Sequence, residues 1–497
     1  MSAPTLLSPA TAPAAHPRRW AGLAVLALSL LVVVLDMTVL NVALPALTAD
    51  LRPTAVEQLW IVDAYALVLA GLLIPLSALA DRWGRRRMLL LGFAIFGLGS
   101  LAVLVADSPA AVIGVRVLLG VGGAMIMPAT LSLIRTLFPD PGERALALGI
   151  WAAMASVGAA LGPVVGGALL EVFSWHAAFL LNVPLMALAL VAGVLLLPES
   201  RSERPGRLDA AGVLLSITGM TALTAAVKDL GKHGAEPLGL ALLALGALAL
   251  TMFVRRCLHQ PDPMLAVRLF ADRVFRAGVV TALASATVMM ALLLLASQWL
   301  QLVQGWSPLQ AGAALLPLAV GGLIGSPLAP SIAARIGVRT VLVGGLALTA
   351  LGLAVVGLLP RPLPYPGLVV AFGLVGLGTA ALGVGSALIM GRAPAHQAGS
   401  AAAVEEMCYE LGAVLGVAVL GSLAGIVYRS GLPDGADVAA RESLAGALGT
   451  PLAPLATGSF TDAFAVVGLA GAAVVAVAAL VVARWLPRDL DLADLSH

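Results

Sequence analysis

Six ionisable side chains stand inside long apolar stretches of this 497-residue sequence. Asp36 lies within Leu35-Asp36-Met37-Thr38-Val39-Leu40-Asn41-Val42-Ala43-Leu44-Pro45, Asp63 follows Trp60 by three residues, and Arg116 sits in the apolar run 109–134. Glu405, Glu406 and Glu410 share the run 401–428. Their chemistry would be ionic and reversible. Glu406 and Glu410 are four residues apart, which places them on one face of a helix. Two carboxylates that close in a low-dielectric medium repel when both are ionised, so one is expected to hold a proton near neutral pH. A bound cation would favour ionisation, and a proton would favour release of the cation. Arg116 is expected to be a proton-relay partner or a pin to backbone carbonyls. The plainer alternatives are a headgroup-level carboxylate for Glu405, a buried cap or ion pair for Asp36, and a vestibule residue for Asp63.

Trp60, Tyr65, Trp151, Trp299 and Met125 offer aromatic or polarizable faces that could line a cavity for a flat cation. The competing assignment for each is an interface belt or ordinary packing. No Gly-x-x-x-x-Gly-Lys-Ser/Thr stretch is present to cradle a nucleotide phosphate. No nucleophile–base pairing or metal-ligand cluster falls on an expected loop, and Cys257 and Cys408 lie far apart without metal-ligand spacing. An enzyme is therefore not expected, nor a metal or other cofactor.

The elements that position these residues follow from composition. The chain is 60% hydrophobic and 11% charged, against about 25% charged in soluble domains, and its mean hydropathy is +1.03. Too few charges exist to coat a water-soluble body of this size, and a net charge of +2 gives no basis for nucleic-acid binding. A spanning helix needs about 20 apolar residues. That ruler gives spans at 20–46, 57–79, 89–106, 109–134, 144–171, 178–197, 209–227, 237–255, 274–299, 310–333, 341–360, 367–391, 401–428 and 461–486. Fourteen runs this long exclude a barrel and predict an all-α polytopic membrane protein.

With the N-terminus inside, 21 of the 28 lysines and arginines fall on cytoplasmic segments and six outside, with Arg116 in a helix. The positive-inside rule and the even helix count both place the termini in the cytoplasm. The first apolar run is too long for a signal-peptide core and is expected to be retained. The arginine-rich, lysine-poor composition suggests a GC-rich bacterial genome and hence a bacterial cytoplasmic membrane. The expected organisation is a tail (1–19), a six-helix bundle (20–198), a linker region with two further helices (199–273), a second six-helix bundle (274–486) and a tail (487–497). A small, polar outside loop near 429–460 joins the last two helices.

Two local patterns remain. The loop Ala80-Asp81-Arg82-Trp83-Gly84-Arg85-Arg86-Arg87 has a faded copy in Ala334-Arg335-Ile336-Gly337-Val338-Arg339, the internal symmetry of a transporter built from repeated halves. In the fifth span Gly158, Gly162 and Gly166 recur every four residues beside Pro163 and Gly167. Small residues at that spacing let helices approach closely, and a covered proline supplies a kink, so a hinge or seal between the halves is expected.

On these motifs the chain resembles the fourteen-helix drug/proton antiporters of the major facilitator superfamily along essentially its whole length. Leu79 to Arg87 looks like the family's gate-locking loop, including Asp81, Arg82, Gly84, Arg85 and Arg86. Arg116 with Gly120, Gly122 and Gly123 is similar to its fourth-helix proton-transfer motif. Gly158 to Gly167 resembles its fifth-helix antiporter motif, and Asp36 to Pro45 its first-helix motif. Leu59 to Asp63, Ser174 to Phe179, Ala296 to Gln301 and Ala403 to Glu406 look nearest to quaternary-ammonium exporters of the QacA and SmvA type. The resemblance implies two bundles around a central cavity and proton-driven export of lipophilic cations, with no cofactor and a monomer as the working unit. It also implies proton coupling at Asp36, Glu406, Glu410 and Arg116, and cation recognition at Asp63 and Glu405. Where such exporters can carry an acid in the tenth helix this chain has Gly322, which favours monocations over dications. Export of an endogenous natural product or a lipid, or a membrane sensor that no longer transports, would be the alternatives.

Overall fold

The computed structural model describes residues 17–205, 210–233, 236–433, 435–488 and 490. Most of the two expected tails, Arg207 of the expected linker, and the side chains of Asn41, Pro45, Leu59 and Lys232 lie outside what is described. No strand occurs among the described residues. Thirteen helices are long and apolar enough to cross a bilayer, and the bent α5 is a fourteenth.

The first half comprises α1 (Arg19–Leu51), α2 (Ala55–Trp83), α3 (Arg85–Val105), α4 (Pro109–Leu137), α5 (Pro141–Val172) and α6 (Ala177–Leu196). A hairpin of α7 (Ala210–His233) and α8 (Pro237–His259) follows. The second half comprises α9 (Arg273–Val303), α10 (Pro308–Ile336), α11 (Val338–Leu358), α12 (Tyr365–Arg392), α13 (Ala395–Ser430) and α14 (Ala453–Trp485). Every expected span is present, several of them longer than the apolar run that announced it. Caps explain part of this: Thr54 and Glu57 form a capping box that starts α2, and Asp140 caps α5 through the Glu143 amide. The loop near 429–460, expected to lie outside, is shorter than that range. The last helix already begins at Ala453, and the loop carries two short helices, Val438–Glu442 and Leu444–Ala447. Tyr428 at the end of α13 donates to the Ala440 carbonyl at 2.8 Å and pins this segment down.

The halves meet through two crossings. α5 packs on α10 and α12, and α13 packs on α2 and α4. The α7–α8 hairpin docks α7 against both α2 and the Gly416–Leu420 π-helical turn of α13, so it touches both halves at their seam. The repeated loop is visible in the backbone. Gly84 and Gly337 both adopt left-handed φ, +127° and +86°, at the equivalent α2–α3 and α10–α11 turns. A non-glycine residue would be strained there.

The glycine row of α5 serves mainly the first half. Gly158 faces Val34, Gly162 faces Thr38 and Gly166 faces Val39 and Val42, all on α1, because four-residue spacing keeps them on one face. The contact to the other half comes from Pro163 and Val164 against Gly312, and from Gly167 against Leu309. α5 bends by 41° between Ala159 and Leu161, where Pro163 meets the carbonyl four residues back. A Cβ on Gly162 would overlap the Thr38 side chain. Gly162→Val is therefore expected to cost about 1–3 kcal/mol by overpacking, seen as a lower unfolding midpoint in detergent. Thr38→Ala in the same chain should recover part of it.

Candidate functional site

Asp36 and Arg116 form a buried ion pair inside the first half. Arg116 Nη1 lies 2.7 Å from Asp36 Oδ2, and the two residues are 2% and 3% exposed. Asn182 of α6 donates to Asp36 Oδ1 at 2.8 Å and lies 3.2 Å from the Ser100 hydroxyl. Arg116 Nε donates to the Ile61 carbonyl at 3.0 Å, and its guanidinium sits 4.6 Å above the Tyr65 ring. Arg116 thus serves as ion-pair partner and backbone pin together. Gly120, Gly122 and Gly123 make room for this on α4: added Cβ atoms would meet the Tyr65 carbonyl, the Gly92 carbonyl with Phe96, and the Tyr65 hydroxyl.

Across the seam, α13 presents the second group of acids. Glu405 and Glu406 are fully buried, and Glu410, one turn on, is half-buried. Tyr409 donates to Glu405 Oε1 at 2.9 Å, while Glu405 Oε2 and both Glu406 oxygens have no hydrogen-bond partner. The Tyr65 hydroxyl and the Trp151 indole NH are likewise buried without one. Tyr65 lies within electrostatic reach of Asp36, Glu406 and Glu410, acids of both halves. The Trp151 ring lies 6.5 Å from Tyr409, on the Glu405 side of the cluster. A buried carboxylate without a donor is costly, about 1–3 kcal/mol even before its charge is counted. The arrangement suits groups that exchange a proton or a cation.

Asp63 is held differently. Its carboxylate meets Lys228 of α7 at 2.5 Å, with both side chains roughly a quarter exposed. Lys228 was expected in an outside loop because the apolar run ends at 227, whereas α7 continues to His233. Trp60 is half-exposed, Trp299 donates to Thr461 at 3.1 Å beside Phe464, and Met125 packs with Ala80 and Met88. Trp60 lies one turn before Asp63 on α2, and Gly322 is buried on α10. Among the residues beside the acids, Asn182, Ser100 and Tyr409 were not singled out by the sequence, and Lys228 was placed by it only as an outside-loop lysine. The signal for Asn182 was a buried amide in an otherwise apolar span, and for Lys228 its rarity, since only one other lysine exists.

At the face bearing Arg85 to Arg87 the halves are locked together. Asp81 pairs with Arg85 at 2.8 Å, and its carboxylate lies against Gly399 at the start of the long α-helical part of α13. Ser77 donates to the Gly399 carbonyl at 2.6 Å, Ser202 to the His396 carbonyl at 2.8 Å, and Arg135 to the Met390 carbonyl. Gly149 packs against Ser326 and Gly383. These contacts hold the two halves together on this side. Arg86 reaches the Val194 carbonyl, Glu199 binds the Arg86 amide and Arg87, and Arg82 is exposed. The second-half copy has Ala334 and Val338 where the first has Asp81 and Arg85, so the lock is one-sided. A side chain at Gly399 would fall on the Asp81 carboxylate. Gly399→Val is expected to open this seam, and labelling of a Ser77→Cys reporter by an impermeant maleimide in inverted vesicles should rise several-fold.

Comparisons agree with this architecture. The family description Major Facilitator Superfamily matches residues 26–417. The multidrug efflux pump LfrA of Mycolicibacterium smegmatis is 42% identical over 86% of this chain and 87% of its own. The methyl viologen resistance protein SmvA of Salmonella typhimurium is 39% identical over 82% of each. Among solved structures, the human organic anion transporter MFSD10 aligns over 93% of this chain and 100% of that chain, with TM-score 0.59 and 16% identity, a likeness of fold alone.

Proposed function

Because this chain belongs to the major facilitator superfamily, and is a multi-pass membrane transporter rather than an enzyme, we propose that it exports lipophilic cations in exchange for protons. The observation that carries this reading is Glu406: a fully buried carboxylate with no donor, on α13, the helix of the second half that packs on α2 and α4. Such a group is stable only when protonated or paired with a cation, and those are the two cargoes of an antiporter. The names of LfrA and SmvA, one a multidrug efflux pump and the other a methyl viologen resistance protein, support the same reading. The 21-to-six distribution of basic residues supports a cytoplasmic Arg85–Arg87 face with both termini on the same side, and the arginine-rich, lysine-poor composition supports a bacterial inner membrane.

In the cycle we propose, the cytoplasmic seam at Asp81 and Gly399 opens to admit a cation to the Glu405–Glu406–Glu410 face. The halves then rock about α5 and α13 until the seam closes. Protons from outside neutralise the acids and release the cation outward. Asp36 and Arg116 relay the proton, with Tyr65 in electrostatic reach of them and of the α13 acids. No cofactor is required, the proton gradient is the only drive, and one chain suffices. With Gly322 in α10, single-charged cations are the expected cargo.

Inverted vesicles holding a preformed proton gradient test this directly. Ethidium or a quaternary ammonium should dissipate the gradient in vesicles containing the protein and leave control vesicles unaffected. No response to any cation would remove this reading and favour a dedicated natural-product or lipid exporter.

A further inference from the structure

Lys228 is an unusual occupant of its position. It lies near the outer end of α7, which belongs to neither half, yet α7 packs on α2 and on α13. Its ammonium reaches Asp63 of α2 at 2.5 Å, and Glu410 of α13 lies within its electrostatic reach. One cation is therefore paired with a carboxylate of the first half and lies within electrostatic reach of one on the second. The next residue, Asp229, points elsewhere, toward Gly239 of α8. Lys228 and Asp63 are 27% and 29% exposed, so the pair is open to a competitor.

We propose that Lys228 is a tethered counter-cation, holding the carboxylate of Asp63 at the edge of the α13 acids until a substrate cation displaces it. This rests on the cation-export reading and gives that site a built-in competitor. An ammonium on a long flexible stem suits the role, because it can swing away without moving the helix backbone. Only a cargo whose charge and apolar surface together outweigh the lysine would bind. That selects lipophilic cations over small hydrated ones such as sodium, which bring charge without apolar area.

The test is binding of tetraphenylphosphonium to the purified full-length protein at fixed pH, by calorimetry. Lys228→Gln should bind roughly five-fold more tightly than wild type, the worth of a partly exposed ion pair. Lys228→Arg should bind like wild type, and Lys228→Gln in an Asp63→Asn background should show no gain over Asp63→Asn alone. Lys228→Met, which keeps the apolar stem, repeats the test should the glutamine variant fail to fold. Unchanged or weaker binding in both neutral variants, with wild type binding normally, would overturn the counter-cation role and leave cation export standing. Absence of binding in wild type and variants alike would overturn the export reading and this inference with it.

Discussion

Asp36→Asn is expected to reduce cation-triggered proton movement to the level of empty vesicles while the protein still folds. The amide oxygen can accept from Arg116 as the carboxylate did, and its NH2 can donate to Asn182 once that side-chain amide turns to present its own oxygen, so the local hydrogen bonds are retained. What is lost is the negative charge, and with it the capacity to take up and give back a proton. Arg116→Ala is the harsher change. It leaves Asp36 as an uncompensated charge at 3% exposure, and breaking a buried pair from one side costs about 3–5 kcal/mol. The unfolding midpoint should fall sharply in that variant, and adding Asp36→Asn should restore part of the loss. Such non-additivity identifies the pair as one unit.

Glu406→Gln separates function from stability most cleanly. Both carboxylate oxygens already lack a donor, so a neutral amide of the same shape forfeits no bond. Stability should shift by less than about 1 kcal/mol. Exchange should nevertheless vanish, because the glutamine can neither ionise for the cation nor accept the proton that expels it. An unfolding midpoint close to wild type with no cation-triggered gradient collapse is the expected combination. Loss of folding together with transport would instead make Glu406 a structural residue.

The elements of this protein were legible in its sequence and their partnerships were much less so. Hydropathy exposes a span because lipid demands an unbroken apolar run, and all fourteen runs reappear as helices. The ends are blurred because helices continue past the apolar run into polar residues, as α7 does through Lys228 and Asp229. That extension turned an outside-loop lysine into the partner of Asp63. The acids stood out individually because charge is rare in such a chain, but Asp36 and Arg116 are 80 residues apart and Asn182 is 146 from Asp36. Nothing local announces contacts between helices at that separation. The glycine row of α5 illustrates the same limit. Its period gave a close helix contact, while its partner, α1 of the same half, came only from the packing. The aromatic candidates were the least legible, since Trp151 lies beside the acids and Trp299 beside Thr461 for reasons set wholly by tertiary placement.

The central claim is that cation and proton compete for the α13 acids. It is tested most directly by counting protons released when tetraphenylphosphonium binds the purified protein in weakly buffered solution with a pH indicator. Wild type should acidify the solution on binding, its affinity should fall as pH falls, and Glu406→Gln should show neither effect. Binding without proton release in wild type, or undiminished release from Glu406→Gln, would contradict the account.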